Sequence, residues 1–344
     1  MVRLRAVAAG ISDVGLQRDY NEDSFAILND QELYVVADGM GGHRAGDVAS
    51  RLATDAMVEF FRATAAEDVT WPFHFDARLS EEENRLLTGI RIANRQIIER
   101  SLRSRECHGM GTTIVGALIS PGKNKMYIGH VGDSRAYRVR EGQIAQLTRD
   151  HSLVNDYLLA MPELTEEQRS ELPKNVITRA LGMQDHVTVD LQSDDSRPGD
   201  LYVLCSDGLS GMIDDAEILD VTGGNQDLHE ACRKLVALAN EHGGEDKITV
   251  VIVRIEDEEV ISVASAGLAA PAAEAATSGP AEHEKPALAS DAEKPAQASD
   301  AEKLASDAAA PAADAEKPAS GDASPAPASE EPEPGAKPEG GAQS

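Results

Sequence analysis

Four aspartates punctuate the chain in the same way, each where an apolar run or a glycine-rich turn gives out. They stand in Val36-Ala37-Asp38-Gly39, Val131-Gly132-Asp133-Ser134, Cys205-Ser206-Asp207-Gly208 and Gly244-Glu245-Asp246-Lys247. Any one of these reads as an ordinary turn. A carboxylate at the end of a buried strand is costly, however, unless it is paired or bound to a cation. Four of them, separated by whole secondary elements, can converge on one rim of a sheet. The nine histidines show no His-Glu-x-x-His spacing and the cysteines form no Cys-x-x-Cys pair. The candidate ligand set is therefore hard oxygen, which selects Mg²⁺, Mn²⁺ or Ca²⁺ over zinc. The one-loop calcium pattern Asp-x-Asp-x-Asp-Gly is absent. A scattered all-carboxylate site suits a two-metal centre, with ions roughly 4 Å apart gripping phosphoryl oxygens and a shared water.

The segment Ser12–Ser24 adds Arg18 close to the carboxylates Glu22 and Asp23. The planar fork of an arginine matches phosphate oxygens two at a time, although a lone arginine here also reads as half of a surface ion pair. Cys107, Cys205 and Cys232 are an odd set, so they form no disulfide framework, and a reducing compartment is expected. Cys205 sits in the apolar run Leu201–Cys205 and reads as a buried, inert thiol. No cysteine lies in a phosphate-cradling loop, which argues against thiol-based phosphatase chemistry.

The elements that must position these residues are legible from periodicity. Glu32–Ala37 reads as a strand stopping at Asp38-Gly39. Asp47–Ala63 and Leu86–Leu102 carry apolar residues at helical spacing, and Ser80-Glu-Glu-Glu before the second suits a helix start. A β-rich block follows: Thr112–Ile119, Lys125–Val131, Ser134–Arg140 and, after the Glu141-Gly142 turn, Gln143–Leu147. Ser152–Lys174 reads as a charged helical segment broken by Pro162 and Pro173. Asp200–Cys205 and Ile248–Ile255 are β-branched strands, with an amphipathic helix Leu228–Glu241 between them. This order lacks a regular βαβ alternation. It predicts an α+β fold in which antiparallel sheet is covered by helices.

Composition divides the 344 residues in two. From Ile261 onward there are 28 alanines, 11 of the 16 prolines and no aromatic residue. That stretch includes a nine-residue repeat, Glu284–Ala292 and Glu293–Ala301. Such a segment cannot bury enough apolar surface to offset its ordering entropy, so a folded domain over 1–258 and a disordered acidic tail over 259–344 are expected. The formal net charge of −28 leaves no broad basic footprint for nucleic acid and disfavours anionic membranes. No stretch is long and apolar enough to span a bilayer, and the N-terminus is too short in apolar residues for a signal peptide. A soluble cytoplasmic protein is expected.

At this point the residues carry a resemblance. Arg18-x-x-Asn21-Glu22-Asp23, Asp38-Gly-Met-Gly-Gly-His43, Gly109-Met-Gly-Thr-Thr113, Gly132-Asp-Ser-Arg135, Asp150-His-Ser152, Asn175-Val-Ile-Thr-Arg-Ala-Leu-Gly182, Ser206-Asp-Gly-Leu209 and Gly243-Gly-Glu-Asp246 occur in that order. The pattern resembles the metal-dependent PPM, or PP2C-like, protein phosphatases, in particular the bacterial branch, over residues 5–256. The resemblance implies packed antiparallel sheets flanked by helices on both faces. It also implies two Mn²⁺ or Mg²⁺ ions and direct hydrolysis of phosphoserine and phosphothreonine on proteins. Carried over by position, Asp38 would bridge the ions with the Gly39 carbonyl on one of them, and Asp207 and Asp246 would complete the other. Glu22 and Asp23 would hold metal-bound waters, Asp133 would help Asp207 bind a third ion, and Arg18 would hold the substrate phosphate. A Ser/Thr kinase and its substrates are the implied partners, and a monomer is expected.

Two departures from the family pattern stand out. Lys247 follows Asp246 where the family usually has Asn, which predicts altered local hydrogen bonding. Met40 follows Asp38-Gly39 where eukaryotic relatives often carry His, leaving leaving-group protonation to a metal-bound water or to His43. A purely structural His43, capping the following helix, is the competing reading. Two other functions fit the same fold: a non-catalytic phosphoprotein-binding regulatory module, which would have lost a metal aspartate, and a dedicated stress-regulator phosphatase.

Overall fold

Two sets of apolar side chains face each other across the middle of the molecule. Tyr34, Val36, Val115 and Ile128 come from one sheet, and Tyr202, Leu204, Val251 and Val253 from another; all are buried in a single cluster. In this computed structural model the described residues are 3–41, 45–65, 75–165, 168, 172–173, 176–224 and 227–258. The first sheet runs in the order β1 (Leu4–Asp13), β11 (Ile248–Asp257), β10 (Leu201–Cys205), β7 (Arg135–Arg140) and β8 (Gln143–Gln146). The second runs β2 (Asp23–Leu28), β3 (Leu33–Met40), β5 (Ile114–Ser120), β6 (Lys125–Val131) and β9 (Asp190–Asp195), and β4 (Gly111–Thr112) pairs with the end of β3. Neighbouring strands pair antiparallel throughout.

Each sheet buries its other face under helices. Helices α1 (Ala45–Ala63) and α2 (Glu81–Arg103) bring Ala49, Met57, Phe61, Leu86, Ile90 and Ile97 into one cluster with Leu33, Val35 and Ile114 of the second sheet. Ser80 and Glu83 close a reciprocal capping box at the start of α2, as the Ser-Glu-Glu-Glu run predicts. On the first sheet, α5 (Asp215–Gly223) and α6 (Leu228–Glu241) bury Ile218, Ala231, Cys232 and Leu235 against Val203, Val250 and Ile252. Two shorter helices, α3 (Leu153–Ala160) and α4 (Asp207–Ser210), lie in connections. The result is the expected α+β sandwich: helices, sheet, sheet, helices.

Several local readings need correction. Strands β1, β2 and β9 and helix α5 carry no expectation from periodicity. β1 has three Ala, one Gly and one Ser among its ten residues, and β9 (Asp-Leu-Gln-Ser-Asp-Asp) is a polar strand at a sheet edge. The single expected strand Thr112–Ile119 is interrupted at Thr113. Within Ser152–Lys174, read as helical and broken at Pro162 and Pro173, α3 ends at Ala160, two residues before Pro162, in line with that break. His43 and the expected tail 259–344 lie outside the described residues, as does most of 166–171. Among the described residues no helix is long and apolar enough to cross a membrane.

Candidate active site

Antiparallel register brings the four aspartates to one end of the sandwich. Cys205, the last residue of β10, pairs with Val250 near the start of β11 and with Arg135 at the start of β7. Asp207, Asp246 and Asp133 therefore lie at the same end of the three central strands of the first sheet. In the second sheet Ile114 pairs with Val131, and Asp23 at the start of β2 pairs directly with Asp38 near the end of β3. A cleft of about 1020 Å³ opens there, lined by Arg18, Glu22, Asp38, Gly39, Asp133, Asp207, Asp246 and Lys247 together with neighbouring loop residues.

Close backbone approach fixes the cleft floor. A Cβ built on Gly39 would lie 2.1 Å from the Gly46 carbonyl oxygen, so only glycine lets the end of β3 press against the start of α1. Glu22 ties the same junction: its carbonyl accepts from Gly39 N–H at 3.1 Å and from Ser50 Oγ at 2.6 Å, and its carboxylate accepts from Gly46 N–H at 3.2 Å. Likewise a Cβ on Gly208 would meet the Lys247 carbonyl oxygen at 2.1 Å, which seats α4 on the loop before β11. Thr113 Oγ1 accepts from Asp38 N–H at 3.2 Å, and Thr112 Oγ1 donates to the Asp38 carbonyl at 2.8 Å.

The carboxylates are packed more closely than their charge allows without a cation. Burial and then the charge of Asp23 push Asp38 well above the usual carboxylate range. Burial and the neighbouring Asp38 do the same to Asp207. Burial raises Asp133 to about 7, with Asp207 adding to it, and Asp23 to about 6 although Thr249 Oγ1 donates to it at 2.7 Å. Asp23 Oδ1, Asp133 Oδ1 and Asp207 Oδ1 are buried with no hydrogen-bond partner. Oxygens of this kind, in this donor set, fit divalent cations.

Two basic side chains reach the cluster. Lys247 Nζ lies 2.8 Å from Asp246 Oδ1 and 3.2 Å from Asp38 Oδ1, and Arg18 Nη2 lies 2.6 Å from Asp246 Oδ2. Burial opposes the charge of Asp246, yet Lys247 and Arg18 together hold it below the usual range.

A further polar knot braces the turn that carries Asp133. Gly132 N–H donates to His151 Nδ1 at 3.0 Å, and Arg135 grips Asp150 with Nε at 3.0 Å and Nη2 at 2.7 Å. His130, His151 and Asp190 are the one trio among the described residues whose potential ligand atoms all lie within 4.8 Å of one another. The acidic cluster is not such a trio, and the Lys247 ammonium lies between its Asp38 and Asp246 carboxylates. The histidine trio nevertheless suits a metal poorly. Arg179 Nη1 already sits 3.1 Å from His151 Nε2 and 2.8 Å from Asp190 Oδ1, so a fixed cation holds that place.

A family model described as Protein phosphatase 2C matches residues 17–249. The chain belongs to the protein phosphatase 2C family. The serine/threonine phosphatase Stp of Listeria welshimeri is 38% identical over 251 residues, 70% of this chain and 93% of that one. Among solved structures, the Mycobacterium tuberculosis serine/threonine phosphatase PstP/Ppp is similar with a TM-score of 0.63 and 33% identity, over 73% of this chain and 99% of that one. The catalytic domain of PstP in complex with two manganese ions is similar with a TM-score of 0.62, also at 33% identity, over 74% of this chain and all of that domain.

Within this protein phosphatase 2C fold, eight of the nine residues singled out from the sequence meet in or directly beneath one cleft; the ninth, His43, falls outside the described residues. Asp23 is as buried as Asp38, its direct neighbour across the β2–β3 ladder, and is not among the residues lining the cleft. Lys247, noted only as a departure from the family pattern, proves to be part of the cluster. Thr249 and Ser206, which bind Asp23 and the β11 loop, had no sequence signal of their own.

Proposed function

We propose that this chain is a protein serine/threonine phosphatase in which Asp38, Gly39, Asp207 and Asp246 hold two Mn²⁺ or Mg²⁺ ions and Asp133 takes part in a third, weaker site. The observation that carries this reading is the convergence of strand-end carboxylates with unpartnered buried oxygens. Ions in such a site supply a nucleophilic water at neutral pH and neutralise developing phosphoryl charge. Arg18, half exposed at the cleft, presents its guanidinium to the phosphate of an entering phosphoserine or phosphothreonine. Glu22 and Asp23 hold the β2–β3–α1 junction and the base of Asp38. Direct hydrolysis without a covalent phosphoenzyme is favoured, because the nearest cysteine, Cys205, is fully buried and its thiol is pushed up to about 12.

Phosphorylated proteins are the substrates, and a Ser/Thr kinase with its targets is the proposed counterpart of the enzyme. A cytoplasmic monomer is proposed, with the phosphatase domain ending near residue 258 and an acidic tail that turnover does not need. A non-catalytic phosphoprotein-binding module would lack one of the four aspartates, and none is missing. The test is phosphate release from a phosphothreonine peptide. Turnover with Mn²⁺ that EDTA abolishes supports the reading, and turnover indifferent to EDTA would end it.

A further inference from the structure

Lys247 is the only lysine or arginine among the described residues that is buried, at 5% exposure. Its backbone is clamped: the carbonyl accepts from Ser206 Oγ at 3.2 Å and packs where a Gly208 Cβ would lie, and β11 begins at the next residue. The stem is thus enclosed, and the ammonium has two carboxylates within reach, Asp246 at 2.8 Å and Asp38 at 3.2 Å. These are two of the carboxylates assigned above to the divalent ions. Asp23, whose carboxylate is buried beside Asp38, adds to the negative field that holds the ammonium.

We propose that Lys247 is a tethered counter-ion of the metal centre, stabilising the metal-free fold and weakening divalent binding at Asp38 and Asp246. The proposal rests on the metal-binding reading given above. Its physical basis is charge. A divalent ion approaching Asp38 and Asp246 must share their oxygens with a fixed unit positive charge, or displace it from an enclosed position. In a partly buried cleft that repulsion suffices to lower affinity by about tenfold or more. Without an ion, the same ammonium offsets the mutual repulsion of Asp23, Asp38, Asp207 and Asp246. With Asn at 247 that compensation would be gone, and a metal-free chain would have to hold the carboxylates close at the cost of their mutual repulsion or of proton uptake.

The experiment uses the full-length chain stripped of metal with EDTA and dialysed. Mn²⁺ is titrated calorimetrically into wild type, Lys247→Asn and Lys247→Gln, and each melting temperature is recorded in EDTA and in saturating Mn²⁺. The proposal expects both variants to bind Mn²⁺ about tenfold more tightly or better, to melt lower than wild type in EDTA, and to recover that loss in Mn²⁺. Equal or weaker Mn²⁺ affinity in both variants would overturn it. So would an unchanged affinity accompanied by a raised KM for phosphopeptide, which would place the ammonium on the phosphate instead. Absence of Mn²⁺ binding by all three proteins would overturn the metal reading itself, a result distinct from equal binding by all three.

Discussion

Arg18 donates from Nη2 to Asp246 Oδ2 at 2.6 Å, across 228 residues of sequence, and so links the cleft's exposed cation to the loop before β11. Arg18 is half exposed, and an exposed ion pair contributes at most about 1 kcal/mol, roughly fivefold in an equilibrium constant. Arg18→Ala is therefore expected to change Mn²⁺ affinity less than about fivefold while raising KM for a phosphopeptide about tenfold. Steady-state kinetics beside a Mn²⁺ titration separates the two effects. A main defect in Mn²⁺ binding would make Arg18 a support for Asp246 rather than a phosphate holder.

Asp207→Asn should have opposite effects with and without metal. Burial and Asp38 raise the Asp207 carboxyl, and a raised acid contributes stability at low pH that is lost as pH climbs through its folded value. Removing the charge relieves that cost, so in EDTA at pH 7.5 the variant should melt at or above wild type. In Mn²⁺ wild type should gain stability and the variant should not, with turnover down about a hundredfold or more. Equal Mn²⁺-induced shifts in both proteins would remove Asp207 from the ligand set.

His130 and His151 stack at 4.7 Å between ring centres, and burial lowers both below the usual histidine value. A lowered base is protonated more readily in the unfolded chain, so stability is complete above about pH 6.5 and falls as pH drops below it. His151→Gln keeps an acceptor for Gly132 N–H and removes one such group. The variant's melting temperature should fall less than wild type's between pH 7 and pH 5. An equal fall in both would mean His151 plays no part in the acid response.

Gly39→Ala inserts a methyl group where the Gly46 carbonyl oxygen would be 2.1 Å away. The end of β3 must then withdraw from α1 and carry the Asp38 carboxylate with it. Mn²⁺ affinity and turnover are expected to fall together, by about tenfold or more, with helical and strand content retained by circular dichroism. Wild-type affinity in a folded variant would show that this approach does not set the position of Asp38.

The strongly patterned parts of this fold were readable from sequence. Lys125–Val131 and Leu228–Glu241 match the observed β6 and α6, because a short apolar-rich run between turns suits a strand buried on both faces and an amphipathic period buries one face of a helix. Leu4–Asp13 was not readable. Its small residues carry little apolar signal, and it becomes a strand through full-length pairing with β11. Each cleft aspartate announced itself at a strand terminus, Asp38, Asp133 and Asp207 at or just past the end of an apolar strand and Asp246 in the glycine-rich turn before one. The Asp23–Asp38 pairing depends on register, and the reach of Lys247 back to Asp38 depends on how α4 seats the loop before β11. Both are products of tertiary packing, which spacing along the chain does not encode.

The strand-end carboxylates, and not the histidine trio, are proposed as the metal centre. Anomalous scattering from crystals of the full-length chain grown with Mn²⁺ tests this directly. At least two manganese peaks are expected in contact with the carboxylates of Asp38, Asp207 and Asp246. Manganese at His130, His151 and Asp190 instead, or no peak within the acidic cleft, would contradict this assignment.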